Sequence, residues 1–129
     1  VSIEQAIHAH WAQCQELAAL VPADRLTTGR PARDVAGCAT LERTATRPCL
    51  PTNNGYAIEE VALRVVFWHD DYDAGHAILE AVVAALDGVA LEMDGGARWA
   101  RLRRTDQSTT HEPDGRWVFH VRLSARIHQ

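Results

Sequence analysis

The 129-residue sequence has no lysine at all; its thirteen basic residues are all arginine. Beside many alanines and aspartates, this absence reads as the imprint of a GC-rich genome rather than of a function. Cysteine is scarce and unpaired. Cys14, Cys38 and Cys49 are odd in number and show no C-x-x-C spacing, which argues against zinc or dithiol redox sites and for reduced thiols in a cytosolic protein. No helical apolar segment reaches the length of about 18 residues that a membrane span needs. The N-terminus also lacks a basic region followed by an apolar one, so neither a membrane span nor secretion by that route is expected. Missing too are a Gly-rich phosphate loop, G-x-S-x-G, H-E-x-x-H and a Cys/His nucleophile pair. No catalytic residue and no cofactor is therefore expected.

What remains is an ordinary globular composition, 47% hydrophobic and 23% charged. The length suits one domain over residues 1–129. A net charge of -4 is not the footprint of a general nucleic-acid binder, although a local basic patch stays open.

From Ser2 to about Leu20, apolar residues recur at Ile3, Ala6, Ile7, Trp11, Cys14, Leu17 and Ala18, the spacing of an amphipathic helix. Ser2 and Gln5 form a capping box, and Pro22 ends the run. Asp24 to Arg33 reads as a polar connector, and Cys38 to Thr44 as a short strand. Thr46 to Gly55 has the Pro and Asn-Gly chemistry of an exposed loop. Tyr56 to His69 alternates as a strand, with Val61, Leu63, Val65 and Phe67 on one face. Asp70, Asp71 and Asp73 then supply the caps of a second helix, whose stripe is Ala74, Ala77, Ile78, Ala81, Val82, Ala85 and Leu86 and whose stop is Gly88.

Val89–Met93 and Ala97–Thr105 flank Asp94-Gly95-Gly96 and predict a hairpin. Thr105 to Gly115 reads as a second polar connector. The last strand alternates from Trp117 to Ile127, and eleven residues at about 3.3 Å each span roughly 36 Å, long for a small sheet. The order predicts an α+β fold: an antiparallel sheet with two helices packed on one face and long C-terminal hairpin strands.

Three clusters could carry chemistry. His8, His10 and Cys14 invite a metal reading, but His8 and His10 point to nearly opposite sides of a helix, and His10 with Cys14 makes only two ligands. Asp70, Asp71 and Asp73 could hold Mg²⁺, but helix capping needs acids in the same place. Arg98, Arg101, Arg103 and Arg104 surround Trp99, a pattern that can grip phosphate and stack on bases. On a strand, Arg101 and Arg103 share the face of Trp99, with Arg98 and Arg104 opposite. A solvated face or an inter-subunit surface is the commoner use of such a pattern.

Leu41-Glu42-Arg43-Thr44 leads to Thr52-Asn53-Asn54-Gly55-Tyr56, then to the strand ending Val65-Val66-Phe67-Trp68, then to the helix Ala74 to Leu86 closing at Asp87-Gly88. This succession resembles the tail terminator, or tail completion, family of long-tailed bacteriophages. The resemblance implies a structural virion protein at the head-proximal end of the tail, assembled in the bacterial host cytoplasm. It implies a homo-oligomeric ring, a hexamer in most of the family, that caps the tail tube, ends its polymerisation and joins it to the head connector or stopper protein. DNA would pass through the lumen without specific binding, so a neutral to acidic bore is expected. The family brings no catalytic residue, metal or cofactor. Candidate subunit or partner contacts are Asn53, Asn54, Tyr56, Arg98, Trp99, Arg101, Arg103, Arg104, Arg122 and Arg126. The alternatives are a head-side connector or stopper, another minor tail protein, or a small nucleic-acid- or ligand-binding domain using the Arg98 to Arg104 strand.

Overall fold

The computed structural model describes residues 1–29, 37–48 and 57–128. Helix α1 (Ile3–Gln13) begins where predicted: the Ser2 hydroxyl accepts from the Gln5 amide at 3.2 Å, and the Gln5 side chain accepts from the Ser2 amide at 2.9 Å. The helix does not run on to Leu20. It breaks at Cys14, whose backbone is extended, and a short α2 (Gln15–Leu20) follows. The break lets the fully buried Trp11 indole donate to the Val21 carbonyl at 2.9 Å, so the chain leaving α2 is tied back under α1.

A 3-10 turn (Ala23–Arg25) leads into β1 (Leu26–Thr28), inside the stretch expected to be a plain connector. β2 (Ala39–Pro48) and β3 (Ala57–His69) form an antiparallel pair with a bulge between Arg43 and Ala45. Helix α3 (Tyr72–Leu86) crosses back, capped by the Asp71 carboxylate accepting from the Ala74 amide. β4 (Ala90–Met93), β5 (Arg98–His111) and β6 (Trp117–His128) complete the sheet in the order β1-β2-β3-β6-β5-β4. Between β4 and β5 a tight turn takes Asp94, Gly95 and Gly96 through positive φ, where glycine carries no steric cost.

The α+β class stands, with two departures in the sheet. It is mixed, because β1 runs parallel to β2, while all its other pairings are antiparallel. And Thr105 to His111 belong to β5, not to a connector: Asp106 to His111 pair residue by residue with Arg122 to Trp117, and Thr105 is the extra residue of a bulge between Arg104 and Asp106. Only Glu112 to Arg116 turn, closed by the Glu112 amide on the Arg116 carbonyl at 2.7 Å.

Alternation along β3 and β6 does what it predicts. Val61, Leu63, Val65 and Phe67 meet Phe119, Val121, Leu123, Ala125 and Ile127 on one face and share a single core with Ile3, Ile7, Trp11, Ile78, Val82 and Leu86 from the helices. The buried stripe of α3 is rotated from the one expected. Gly75 and Leu79 are inside and Ala77 is exposed, because α3 lies close enough to the sheet that its tightest contact admits no side chain.

Candidate functional site: the arginine face of the sheet

The second face of the sheet carries the polar half of each alternation, and the register lays its side chains out in rows. Arg101 of β5 stands beside Arg126 of β6, Arg126 beside Glu60 of β3, and Glu60 beside Arg47 of β2. Glu60 is the hub of that row: its carboxylate takes Arg47 at 3.1 Å, Arg126 at 3.7 Å and the Ser124 hydroxyl at 3.3 Å. In a second row Asp106, Arg122, Arg64 and Glu42 follow one another, with Arg64 paired to Glu42. Arg103 lies opposite Ser124, and Trp99 stacks on His128 with ring centroids 4.1 Å apart. A shallow basin of ≈ 570 Å³ opens here, lined by Glu60, Arg101, Arg103, Arg104, Thr105, Ser124 and Arg126.

Six arginines on this face thus meet four carboxylates, Glu42, Glu60, Asp106 and, beside Trp99, Glu92 of β4, on a chain whose net charge is -4. Among the described residues Arg101, Arg103 and Arg122 make no ion pair, and all three are exposed. Exposed pairs such as Arg47–Glu60 add little stability. The consequence is a surface with spare planar donors suited to carboxylate or phosphate. Burial, then the charges of Arg64 and Arg122, hold the His120 imidazole below its ordinary pKa, and burial with Arg126 and Arg101 does the same to His128. Both rings are therefore neutral at pH 7, and the basic character of the face is the work of arginine.

The structure brings together Trp99, Arg101, Arg103, Arg122 and Arg126 of the candidate contacts. Arg98 and Arg104 fall on the helix side, as their parity requires. Arg98 bonds Asp94 at 2.6 Å beside the turn, and Arg104 bonds Gln107 at 2.8 Å while its amide donates to the Asp87 carboxylate at 2.9 Å. Arg104 still contributes to the lining of the basin. Asn53, Asn54 and Tyr56 lie outside the described residues. Sequence reasoning missed Glu42, Arg47, Glu60 and Arg64, because their place in the rows depends on β6 inserting between β3 and β5, which alternation within one strand does not encode.

The other clusters have structural partners. His10 Nε2 lies 2.9 Å from the Ala85 carbonyl and 3.5 Å from Cys14 Sγ, tying α1 to α3. Asp71 is the cap of α3, with Asp73 in its first turn. Among the described residues no three His, Cys, Asp or Glu side chains converge on a metal position, and no helix is long and apolar enough to cross a membrane.

The model of the family described as tail completion protein gp17 matches residues 5–128. Thirteen chains of solved structures match as well. One comes from a structure titled "Virion of native gene transfer agent (GTA) particle"; it is 16% identical, with a TM-score of 0.62, and the match covers 99% of this chain and 98% of that one. At that identity the likeness shows the fold. No curated protein matches the sequence. With a family match running from within α1 to the last residue of β6, the chain belongs to the tail completion protein gp17 family and is a structural protein of a phage tail.

Proposed function

We propose that the protein forms a ring, of six copies as in the resemblance drawn from its sequence, that caps the tail tube, ends its polymerisation and joins it to the head connector or stopper. The observation that carries this reading is the family match over residues 5–128. The arginine face supports it: spare guanidinium groups at Arg101, Arg103 and Arg122 are a ready surface for the carboxylates of a neighbouring subunit or tail protein. Asn53, Asn54, Tyr56, Arg98, Trp99, Arg104 and Arg126 are further contacts in this proposal. The ring would sit at the head-proximal end of the tail, having assembled in the host cytoplasm, with DNA passing through it unbound.

Light scattering after size exclusion, followed by negative-stain imaging with and without polymerised tail tube protein, tests the reading. Rings are expected alone or at tube ends, with tubes that stop growing once capped. A monomer that neither closes nor halts tube growth would overturn it. The same surplus of arginine favours a second reading, a nucleic-acid-binding domain. That reading requires a monomer that shifts DNA with a steep loss of affinity as salt rises.

A further inference from the structure

Two strand edges of the sheet have no partner among the described residues. β1 covers β2 only over Ala39–Leu41, so β2 is open along its outer edge from Glu42 to Pro48. β4 covers β5 only over Arg98–Arg101. Leu102 and Arg104 are still tied to the chain beside β4: the Leu102 amide donates to the Val89 carbonyl, and the Arg104 amide to the Asp87 carboxylate. From Thr105 to His111, β5 has β6 on one side and no strand on the other.

The bulges decide which backbone groups face outward. Up to Arg104 the even-numbered residues of β5 turn away from β6, as the bonds of Leu102 and Arg104 show. Thr105 is the extra residue, and past it the sense reverses: the Glu112 amide points inward to Arg116, so the amides of Gln107, Thr109 and His111 face the open edge. On β2 the Leu41 carbonyl faces outward to Gly29. After the extra residue Thr44, Ala45 and Arg47 turn to β3, leaving Thr46 and Pro48 outward. Pro48 has no N–H to give and sets the end of any ladder on that edge.

Neither edge is held in place by burial. Of Thr105–His111 only Thr109 is even half-covered, and β2 is exposed from Arg43 on. A hairpin arm of this kind is marginal by itself. An open edge of such length also templates pairing with any exposed strand unless a proper partner covers it. β2, β3, β6 and β5 alternate in direction, so β2 and β5 run opposite ways at the two flanks of the sheet. A second copy set beside the first in the same orientation therefore presents its β2 antiparallel to the first copy's β5.

We infer that neighbouring subunits join by β-pairing, the open stretch of β5 from Thr105 to His111 taking the β2 edge of the next copy from Glu42 to Arg47. This contact is heterologous, one patch meeting a different one, and such contacts make rings when the rotation closes. The inference rests on the ring reading above and names the surface that closes it.

One proline variant, three cysteine pairs and one imaging experiment separate the two ideas. Thr109→Pro removes an outward donor and leaves the β5–β6 ladder its bonds. It should abolish rings while the isolated subunit keeps its parent's circular dichroism and melting temperature. In a background with Cys14, Cys38 and Cys49 replaced by serine, Ala45→Cys is combined in turn with Ser108→Cys, Thr110→Cys or Glu112→Cys, which samples three registers. Oxidation should give a ladder of cross-linked oligomers ending at the ring's copy number in one of the three. Rings that form with no ladder in any register, or that survive Thr109→Pro, overturn edge pairing and leave the ring standing. A chain that imaging finds monomeric alone and on tubes overturns the ring, and this inference with it.

Discussion

Gly75→Ala probes how closely α3 is pressed onto the sheet. A Cβ built there lies 2.3 Å from Phe119 Cε2, 2.4 Å from Cζ and 3.2 Å from His69 Cβ. Carbon atoms settle at about 3.5 to 4.0 Å, so more than about 1 Å of space must be opened. Phe119 has nowhere to go: it is fully buried, stacked on Phe67 at 5.1 Å between ring centroids, and covered by Tyr72 at 6.2 Å. The helix must lift or the ring must leave its rotamer, and overpacking of this kind costs about 1 to 3 kcal/mol. Alanine returns up to about 1 kcal/mol of helix propensity, less in a first turn. The net expectation is a loss of about 1 to 2 kcal/mol, which at about 2.1 cal/mol/K of unfolding entropy per residue lowers the melting temperature by roughly 4 to 7 °C. Thermal and urea unfolding of the subunit by circular dichroism measure it. In a Phe119→Ala background the space already exists, and Gly75→Ala should be neutral or stabilising there. Unchanged stability in the parent, or the same loss in both backgrounds, would refute the reasoning.

Two further outcomes follow from single groups. Trp11→Phe removes the indole donor on the Val21 carbonyl and should cost about 1 to 3 kcal/mol with loosening of α2, read from the urea midpoint and the helical signal; an unmoved midpoint would show the bond to be idle. His120→Gln should flatten the loss of stability between about pH 7 and pH 5. Burial and the charges of Arg64 and Arg122 depress the folded-state pKa against the weaker pull of Glu42 and Glu112. The unfolded chain therefore takes the proton first, and stability held above the unfolded pKa drains away as pH falls toward the folded one. An identical pH slope in the variant would rule His120 out.

Where a residue's environment is set by burial, the sequence was legible. Ser2 with Gln5, the alternation of β3 and β6, and the parity that puts Arg101 and Arg103 with Trp99 but Arg98 and Arg104 opposite all appear in the structure as read. The break at Cys14 was not legible, because the apolar spacing continues straight through it. It goes with one bond, from Trp11 to Val21, whose acceptor no local pattern announces. The α3 stripe was misjudged for a related reason. Glycine counts for nothing on a hydrophobic template, yet Gly75 marks the point of closest approach and rotates the buried face toward Leu79.

The larger miss, the outer half of β5, shows what alternation measures. Thr105 to His111 reads as a connector because both its faces are polar, and both are polar because little in the subunit covers them. A strand's periodicity records which side chains are buried, whereas its existence depends on which backbone groups are bonded, and here β6 supplies the bonds without supplying a core. The bulge at Thr105 deepens the disguise by shifting parity in mid-strand, so that Asp106 rather than Thr105 continues the face of Arg101 and Arg103. The same reasoning applies to β2 beyond Arg43, where a bulge is followed by an exposed, threonine-rich stretch paired, among the described residues, on one side only. Strands that are solvated on both faces and bonded along one edge are incomplete as parts of a monomer. Their side-chain pattern becomes intelligible once a second strand closes the ladder, and in a chain whose two such edges run in opposite senses, that strand can come from another copy of itself.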